Sequence, residues 1–192
     1  MTTVTARERL VAAAVEAFAE KGFTATTTRD IASRAGMSPA AVYVHHDSKE
    51  SLLFHVSLEG HRAALDVMRR AIGEGGSSVE VLRRVVHDFS RWHAANSRVG
   101  RIVQYEFDAL TPEHRAEVAT LRRDIEHAMR DVLQRGVDEG ELAVVDVSGT
   151  ALAILSLSID LVRWYRPREG GASAEQLAAL HADLAERMVA VA

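Results

Sequence analysis

The stretch TTTRDIASRAGMSPAAVYVHHDSKE, Thr26–Glu50, decides how this chain folds. Its first part places Ile31 and Ala35 on one face of a helix, at the spacing that buries a stripe. Gly36 ends that helix, because glycine readily takes the left-handed conformation of a helix C-terminus. A serine then caps a second, short helix, and Pro39 suits its first position. The stretch therefore predicts two helices joined by a tight turn.

The outward side of the second helix is unusual for a solvated surface. Val42 faces back toward the first helix, which leaves the other side chains exposed. The outward residues are Ala40, Ala41, Tyr43, Val44 and His45. A small, alanine-rich face beside a tyrosine and a histidine suits insertion into a DNA groove. We therefore expect this helix to contact duplex DNA.

The pattern resembles the tetracycline-repressor (TetR) family of helix-turn-helix regulators, without a gap from about Arg7 to Leu53. The residues that carry the resemblance are Ile31, Ala32, Ala35, Gly36, Met37, Ser38, Tyr43, His45, Ser48, Lys49 and Glu50. The chain departs from the family pattern at Val44, where an aromatic is common, and at His46, which replaces a phenylalanine. The resemblance implies an all-α fold of about nine helices. The implied fold has a three-helix DNA-binding head and a larger helical domain for ligand binding and dimerisation.

Composition agrees with a helical chain. Of 192 residues, 47% are hydrophobic and only 5% aromatic, so the core consists mainly of Ala, Leu and Val. The absence of cysteine excludes disulfides and thiolate metal sites. The net charge is −4, and residues 1–50 hold six basic and six acidic groups. DNA affinity must therefore come from a local face and from dimerisation, because bulk charge does not supply it.

Apolar periodicity predicts the remaining helices. They run from Thr5 to Lys21, Ser48 to Ile72, Val79 to Ala95, Arg98 to Ala109, Thr111 to Asp138 and Asp146 to Tyr165, with a last one after Ser173. Asp47 with Glu50, and Ser173 with Gln176, have capping-box spacing. We place the domain boundary inside the long fourth helix. Residues 1–54 form the DNA-binding domain, and residues 55–192 form the ligand-binding and dimerisation domain.

The resemblance implies a set of DNA-contacting residues: Thr27, Thr28, Arg29, Ser38, Ala40, Ala41, Tyr43, His45 and Lys49. Thr28 is expected to cap its helix and meet a phosphate, while Tyr43 and Lys49 contact the DNA backbone. Base readout is expected from Arg29 and from the methyl groups of the two alanines. His46 is expected to pack in the head.

An effector pocket needs apolar walls with a few polar anchors. The candidate lining residues are Phe89, Trp92, Gln104, Phe107, Ile159, Asp160 and Trp164. Asp160 either pairs with Arg163, three residues on, or faces a ligand. The segment Val162–Pro167 and the residues after it resemble a TetR subgroup whose members include repressors released by acyl-CoA thioesters. Helix residues 151–159 carry no basic group, so such a ligand needs anchors elsewhere, for example Arg98 or Arg101.

The last two helices have broad apolar faces, which correspond to the dimerisation helices of the family. The candidate interface residues are Leu152, Leu155, Leu177, Leu180, Leu184 and Met188. The helix from Asp146 approaches the length of a membrane span, but Asp160 and Arg163 argue against insertion. We expect a cytoplasmic homodimer that binds an operator and a small-molecule effector, with no membrane partner.

Other activities find little support in the sequence. The histidines form no i, i+4 metal-binding pair, and no nucleophile elbow or glycine-rich phosphate loop is present, so no metal, cofactor or catalysis is expected. The leading interpretation is a repressor released by a small apolar effector, with an acyl-CoA or lipid catabolite as one candidate. A drug-responsive efflux repressor remains an alternative. A helical small-molecule carrier with a vestigial helix-turn-helix, and a helical enzyme, are the other classes left open.

Overall fold

The computed structural model describes residues 5–191, which form helices joined by turns and contain no strand. The helices are α1 (Ala6–Ala25), α2 (Thr28–Arg34), α3 (Pro39–His45), α4 (Lys49–Gly73), α5 (Ser78–Ala95), α6 (Ser97–Tyr105), α7 (Pro112–Asp138), α8 (Val147–Ile159), α9 (Leu161–Trp164) and α10 (Ala174–Val189), with a 3-10 turn at Phe107–Ala109. The predicted all-α class is confirmed. One α-helix more than expected arises because the single helix predicted from Asp146 to Tyr165 is interrupted at Asp160.

The first of two compact units contains residues up to His61 together with Arg98–Ala119. Its α1 breaks at Gly22, which has a φ of 77°. The buried Thr26 hydroxyl closes this break by donating to the carbonyls of Ala17 and Gly22, at 3.1 and 2.7 Å. The unit thus includes the predicted head and also a segment from the middle of the chain. The functional boundary at residue 54 stays a prediction.

The second unit contains Arg62–Ser97 and the chain from Thr120 onward. In it, α5 packs against α10 and α8 around a continuous apolar core. Fully buried members of this core include Leu82, Phe89, Met129, Leu133 and Ile154. Burying this many large apolar side chains is the main source of stability in a helical body of this size.

One polar chain crosses the interior of the second unit. His181 Nδ1–H donates to Ser90 Oγ at 3.1 Å, Ser90 donates to Ser158 Oγ at 3.0 Å, and Ser158 donates to the Ile154 carbonyl at 3.2 Å. Burial lowers the pKa of His181, because desolvation disfavours the charged form of the ring. A satisfied buried chain of this kind fixes the register of α5, α8 and α10.

The described stretch Val147–Trp164 has the length and apolar composition that a membrane span could have, and 33% of it is buried. A core helix of a soluble protein passes the same test, so the stretch alone is weak support for a span. Within it, Asp160 ends α8 and forms an ion pair with Arg163, with Nε–Oδ1 at 2.7 Å. This pair is the structural alternative that the sequence left open for Asp160.

Candidate nucleic-acid interface

The outward face of α3 has the residues that the sequence placed there. Tyr43 is 55% exposed and Val44 is 78% exposed, and Ala40 and His45 are exposed as well. Val42, by contrast, is fully buried, so α3 is anchored along one side and open along the other. A helix that is open along one side can enter the major groove of B-DNA, which is wide enough to admit an α-helix.

The turn before α3 sets the angle between α2 and α3. Gly36 has a φ of 66°, as expected for a helix C-terminus, and Met37 N–H donates to the Ala32 carbonyl at 2.9 Å. Ser38 Oγ accepts from Ala41 N–H at 3.3 Å, which confirms Ser38 as the N-cap of α3. These local bonds hold the short α3 in place, since seven residues would not form a stable helix alone.

The entry to α2 differs in one detail from the expectation. The N-cap is Thr27, which forms a capping box with Asp30, and Thr28 is the first helical residue. The expectation that Thr28 caps the helix is therefore wrong. Its hydroxyl instead lies 3.3 Å from Tyr43 Oη, so a polar pair joins α2 to α3 at the outer surface. Arg29 is exposed beside this pair.

Lys49 makes contacts within the chain that the sequence did not predict, and its phosphate contact stays a prediction. Its Nζ donates to the carbonyls of Phe23 and Thr26 at 2.7 and 2.8 Å and to that of Thr24 at 3.3 Å. It also lies 4.3 Å from the centre of the Phe23 ring. These carbonyls belong to the end of α1, where a positive charge complements the helix dipole. Lys49 thus caps α1 in this structure, and its three protons are all used.

His46 is buried in the head, as the sequence predicted, but neither ring nitrogen has a hydrogen-bond partner. Burial, and then the nearby His55 and Arg7, lower the pKa of His46 to about 4. The ring meets His55 edge-on, with centroids 4.9 Å apart. His55 Nδ1–H donates to the Ser51 carbonyl, which leaves its Nε2 to accept from Arg7. Arg7 is therefore engaged within the head.

Polar contacts that the sequence did not reveal join the start of α4 to the turn before α7. Glu50 accepts from Thr111 N–H at 3.0 Å and from His114 Nδ1–H at 2.8 Å. The His114 ring stacks on Phe54, with centroids 3.8 Å apart and planes 5° from parallel. The predicted capping box of Asp47 with Glu50 is wrong, because Ser48 Oγ accepts from Ser51 N–H and Glu50 bonds elsewhere.

The same segment also contacts the end of α1. Glu106 accepts a hydrogen bond from Phe23 N–H at 3.2 Å. At Gly60, a Cβ atom would lie 3.6 Å from the side chains of Val99 and Val103, so α6 packs against α4 there. Sequence spacing could not reveal these contacts, since each joins residues that are distant in the sequence.

The candidate effector residues fall into separate environments. Phe89, Trp92 and Ile159 belong to the apolar core of the second unit. Gln104 is exposed and Phe107 half-buried, and both lie in the first unit. Asp160 is ion-paired, as described above, and Trp164 is 49% exposed. A polar groove of about 420 Å³ between α7 and the start of α8 has none of these residues in its lining.

The candidate interface residues on α8 and α10 separate into two groups. Leu152, Leu180, Leu184 and Met188 are exposed by 60, 49, 37 and 49%. Leu155 and Leu177, in contrast, are only 5 and 9% exposed and belong to apolar clusters within the chain. Packing within the chain accounts for the burial of Leu155 and Leu177, and their place in the interface stays a prediction. Four large apolar side chains remain open on these two helices.

Comparison with known proteins gives two family matches. The family described as "Bacterial regulatory proteins, tetR family" matches residues 10–56. The family described as "Tetracyclin repressor-like, C-terminal domain" matches residues 75–189. The chain is also 32% identical over 168 residues to the HTH-type transcriptional repressor KstR2 of Rhodococcus jostii (strain RHA1), covering 84% of this chain and 80% of that protein.

Solved structures agree. The crystal structure of a bacterial regulatory protein in the tetR family from Rhodococcus RHA1 is 40% identical, with a TM-score of 0.92 over 99% of this chain and 100% of that one. AibR in complex with isovaleryl coenzyme A and operator DNA is 21% identical, with a TM-score of 0.83 over 94% of this chain and 97% of that one. The second likeness concerns the fold alone.

Proposed function

The chain belongs to the TetR family of bacterial transcriptional regulators, and from this premise we propose that it represses transcription as an effector-released homodimer. Each protomer presents α3 to one half-site of a palindromic operator. The observation that carries the proposal is the open outer face of α3 above a buried inner face. Two such helices must lie about one helical turn of DNA apart, about 34 Å, to occupy successive major grooves.

The contacts divide by chemistry. Thr28, Ser38 and Tyr43 have hydroxyl groups that can donate to phosphates, which position the protein without reading sequence. Thr27 would first have to release Asp30, to which its hydroxyl donates at 2.6 Å. Arg29 and His45 are the exposed side chains able to hydrogen-bond base edges, and Ala40 and Ala41 contribute methyl groups. A phosphate contact by Lys49 requires at least one of its bonds to the α1 carbonyls to be given up.

The dimer forms through α8 and α10. These two helices expose more apolar side-chain surface to water than single scattered surface residues would. The side chains are those of Leu152, Leu180, Leu184 and Met188, and a second copy of the chain would cover them. A two-fold axis brings the same patch of each protomer together, as in most homodimers. This interpretation also accounts for the apolar character of Val147–Trp164 in a cytoplasmic protein.

The effector is a small apolar molecule, with an acyl-CoA or other lipid catabolite as the leading class. The subgroup resemblance and the similarity to the repressor KstR2 support this class. AibR, which shares the fold, binds isovaleryl coenzyme A. A drug-responsive efflux repressor is the competing class. Native mass spectrometry of the purified protein separates them, since a co-purified CoA thioester supports the first and a drug-like molecule the second.

The effector releases the operator by acting on the DNA-binding head through α4. The segment from Glu106 to His114 contacts both the end of α1 and the start of α4, through Glu106–Phe23 and Glu50–His114. A shift of this segment would therefore move the N-terminal end of α4 and change the separation of the two recognition helices. An effector can cause this shift only if it binds the shifted and the unshifted arrangement of the segment with different affinity.

Operator binding is tested by selecting duplexes from a randomised library and measuring their affinity by fluorescence anisotropy. Ala41→Glu should weaken binding by more than about 100-fold, because placing like charges together costs several kcal/mol. Val145→Glu is the matched control, since it adds the same charge at a fully exposed site outside the head. Failure to select any duplex at low salt, or equal loss in both variants, would contradict the proposal.

A further inference from the structure

The recognition helix carries a stripe of methyl groups on its open side. Ala40 and Val44 are one helical turn apart, and Ala41 lies between them. Val44 is 78% exposed, more than any other large apolar residue of the described head. Inward packing of α3 is already supplied by the buried Val42 and by His46 at its end, so the fold does not use the Val44 side chain.

The same face lacks the side chains that read purines. From Ser38 to His45 the sequence contains no Arg, Lys, Asn or Gln. These four residue types make the bidentate contacts to guanine and adenine in the major groove. An apolar side chain reads a different feature, the C5-methyl group of thymine. The open face of α3 is thus equipped to recognise thymine, with Tyr43 and His45 as the hydrogen-bonding side chains toward its C-terminal end.

Val44 is better suited to this contact than a flexible side chain. A β-branched residue in a helix has one strongly preferred χ1 rotamer, so its methyl groups are already ordered before DNA binds. Little conformational entropy is then lost on contact. Its branched side chain also extends further from the helix axis than the alanine methyls, so Val44 should make the closest approach to the base edges.

We propose that Val44, together with Ala40 and Ala41, determines operator sequence by contacting thymine methyl groups in each half-site. This inference rests on the proposed function, because it requires α3 to lie in the major groove. It assigns a base-reading role to Val44, and it defines the operator chemically: each half-site carries thymines whose methyl groups face the centre of α3.

Uracil substitution isolates the methyl group, because deoxyuridine pairs as thymidine does but lacks the C5-methyl. A selected duplex is tested with each thymine replaced in turn by uracil. At one or more positions per half-site the affinity should fall about fourfold per methyl, and about 16-fold when both half-sites are changed, if each contact buries about one methyl. In Val44→Ala the penalty should vanish at one of these positions and remain at the others.

The controls separate this inference from operator binding itself. Val145→Ala makes the same change at a fully exposed valine outside the head and should keep the wild-type uracil profile. Selection of a duplex with no uracil-sensitive position, or a profile unchanged in Val44→Ala, would overturn the inference and leave operator binding intact. Failure to select any duplex would overturn both.

Discussion

The two compact units are held together in different ways. In the first, polar side chains bind helix ends and turns from distant parts of the chain, as Lys49 does for the end of α1 and Glu50 does for the turn before α7. In the second, α5, α8 and α10 surround a continuous apolar core, and the ion pairs lie at its surface. The first unit also buries apolar side chains such as Leu10, Ile31 and Leu52. It differs from the second unit in adding a few polar bonds between distant parts of the chain to this apolar packing.

The largest effect on operator affinity should come from substitutions on the exposed face of α10, in the second unit. Leu180→Glu combined with Leu184→Glu should abolish the dimer without unfolding the chain, because both side chains lie outside the apolar core. Operator affinity should then fall by about 100-fold or more, since the second half-site no longer adds to the first. Light scattering gives the oligomeric state, and anisotropy the affinity. A dimer that persists would place the interface elsewhere.

In the head, Lys49→Met should cost about 2–3 kcal/mol of unfolding free energy, because it leaves the carbonyls at the end of α1 without their charged donor. Arg83→Met is the matched change in the body. Arg83 pairs with Asp183 at 2.6 Å but is 39% exposed, so its loss should cost at most about 1 kcal/mol. Urea unfolding measures both. Equal losses of unfolding free energy in the two variants would contradict the proposed difference between the units.

Operator binding provides an independent check on Lys49. If its ammonium served chiefly as a phosphate contact, Lys49→Met would reduce affinity and the salt dependence of binding while leaving stability unchanged. That outcome would support the role expected from the sequence.

His46→Phe should stabilise the head by about 1–2 kcal/mol, since it replaces a buried ring that has two unpartnered nitrogens. The folded-state pKa of about 4 lies below the ordinary value of 6.5, so the unfolded chain binds the extra proton more readily. Wild-type stability should therefore fall as the pH decreases from about 6.5 to about 4. The phenylalanine variant should lack this dependence in thermal melts; an unchanged pH profile would contradict it.

His87 in the body should show the opposite, smaller dependence. Burial lowers its pKa, but hydrogen bonds to Asp88 and Glu175, both at 2.9 Å, outweigh burial and raise it. The protonated ring therefore adds stability that is fully present below about pH 6.5 and is lost as the pH rises through the folded-state value. His87→Gln should remove this pH-dependent loss of stability, which amounts to less than about 1 kcal/mol. Melts between pH 6 and 8 that coincide for both proteins would contradict it.

The sequence predicted those features that depend on neighbouring residues. Gly36, Ser38 and the Ser173–Gln176 capping box are confirmed because turn and cap chemistry acts within a few positions. Glu50 was misassigned because its partners lie 61 and 64 residues further along the chain.

The sequence could not separate exposed from buried residues within the predicted interface set, for a related reason. A helix that is apolar on most sides gives no sign of which side faces its own chain. Leu152 and Leu155 look equivalent in sequence, yet one is 60% exposed and the other 5%. Only the packing of α5 against α8 and α10 distinguishes them.

The discontinuity of the first unit has a consequence for how the protein is made. Arg98–Ala119 belongs to the same unit as the chain before His61, so the ribosome must synthesise about 60 further residues before that unit is complete. The nascent helix-turn-helix emerges early, without the partners of Glu50 and of the Phe23 amide. A fragment cut after residue 54 would lack them permanently. Competence to bind the operator should therefore arise late in translation, once α6 and the start of α7 have left the exit tunnel.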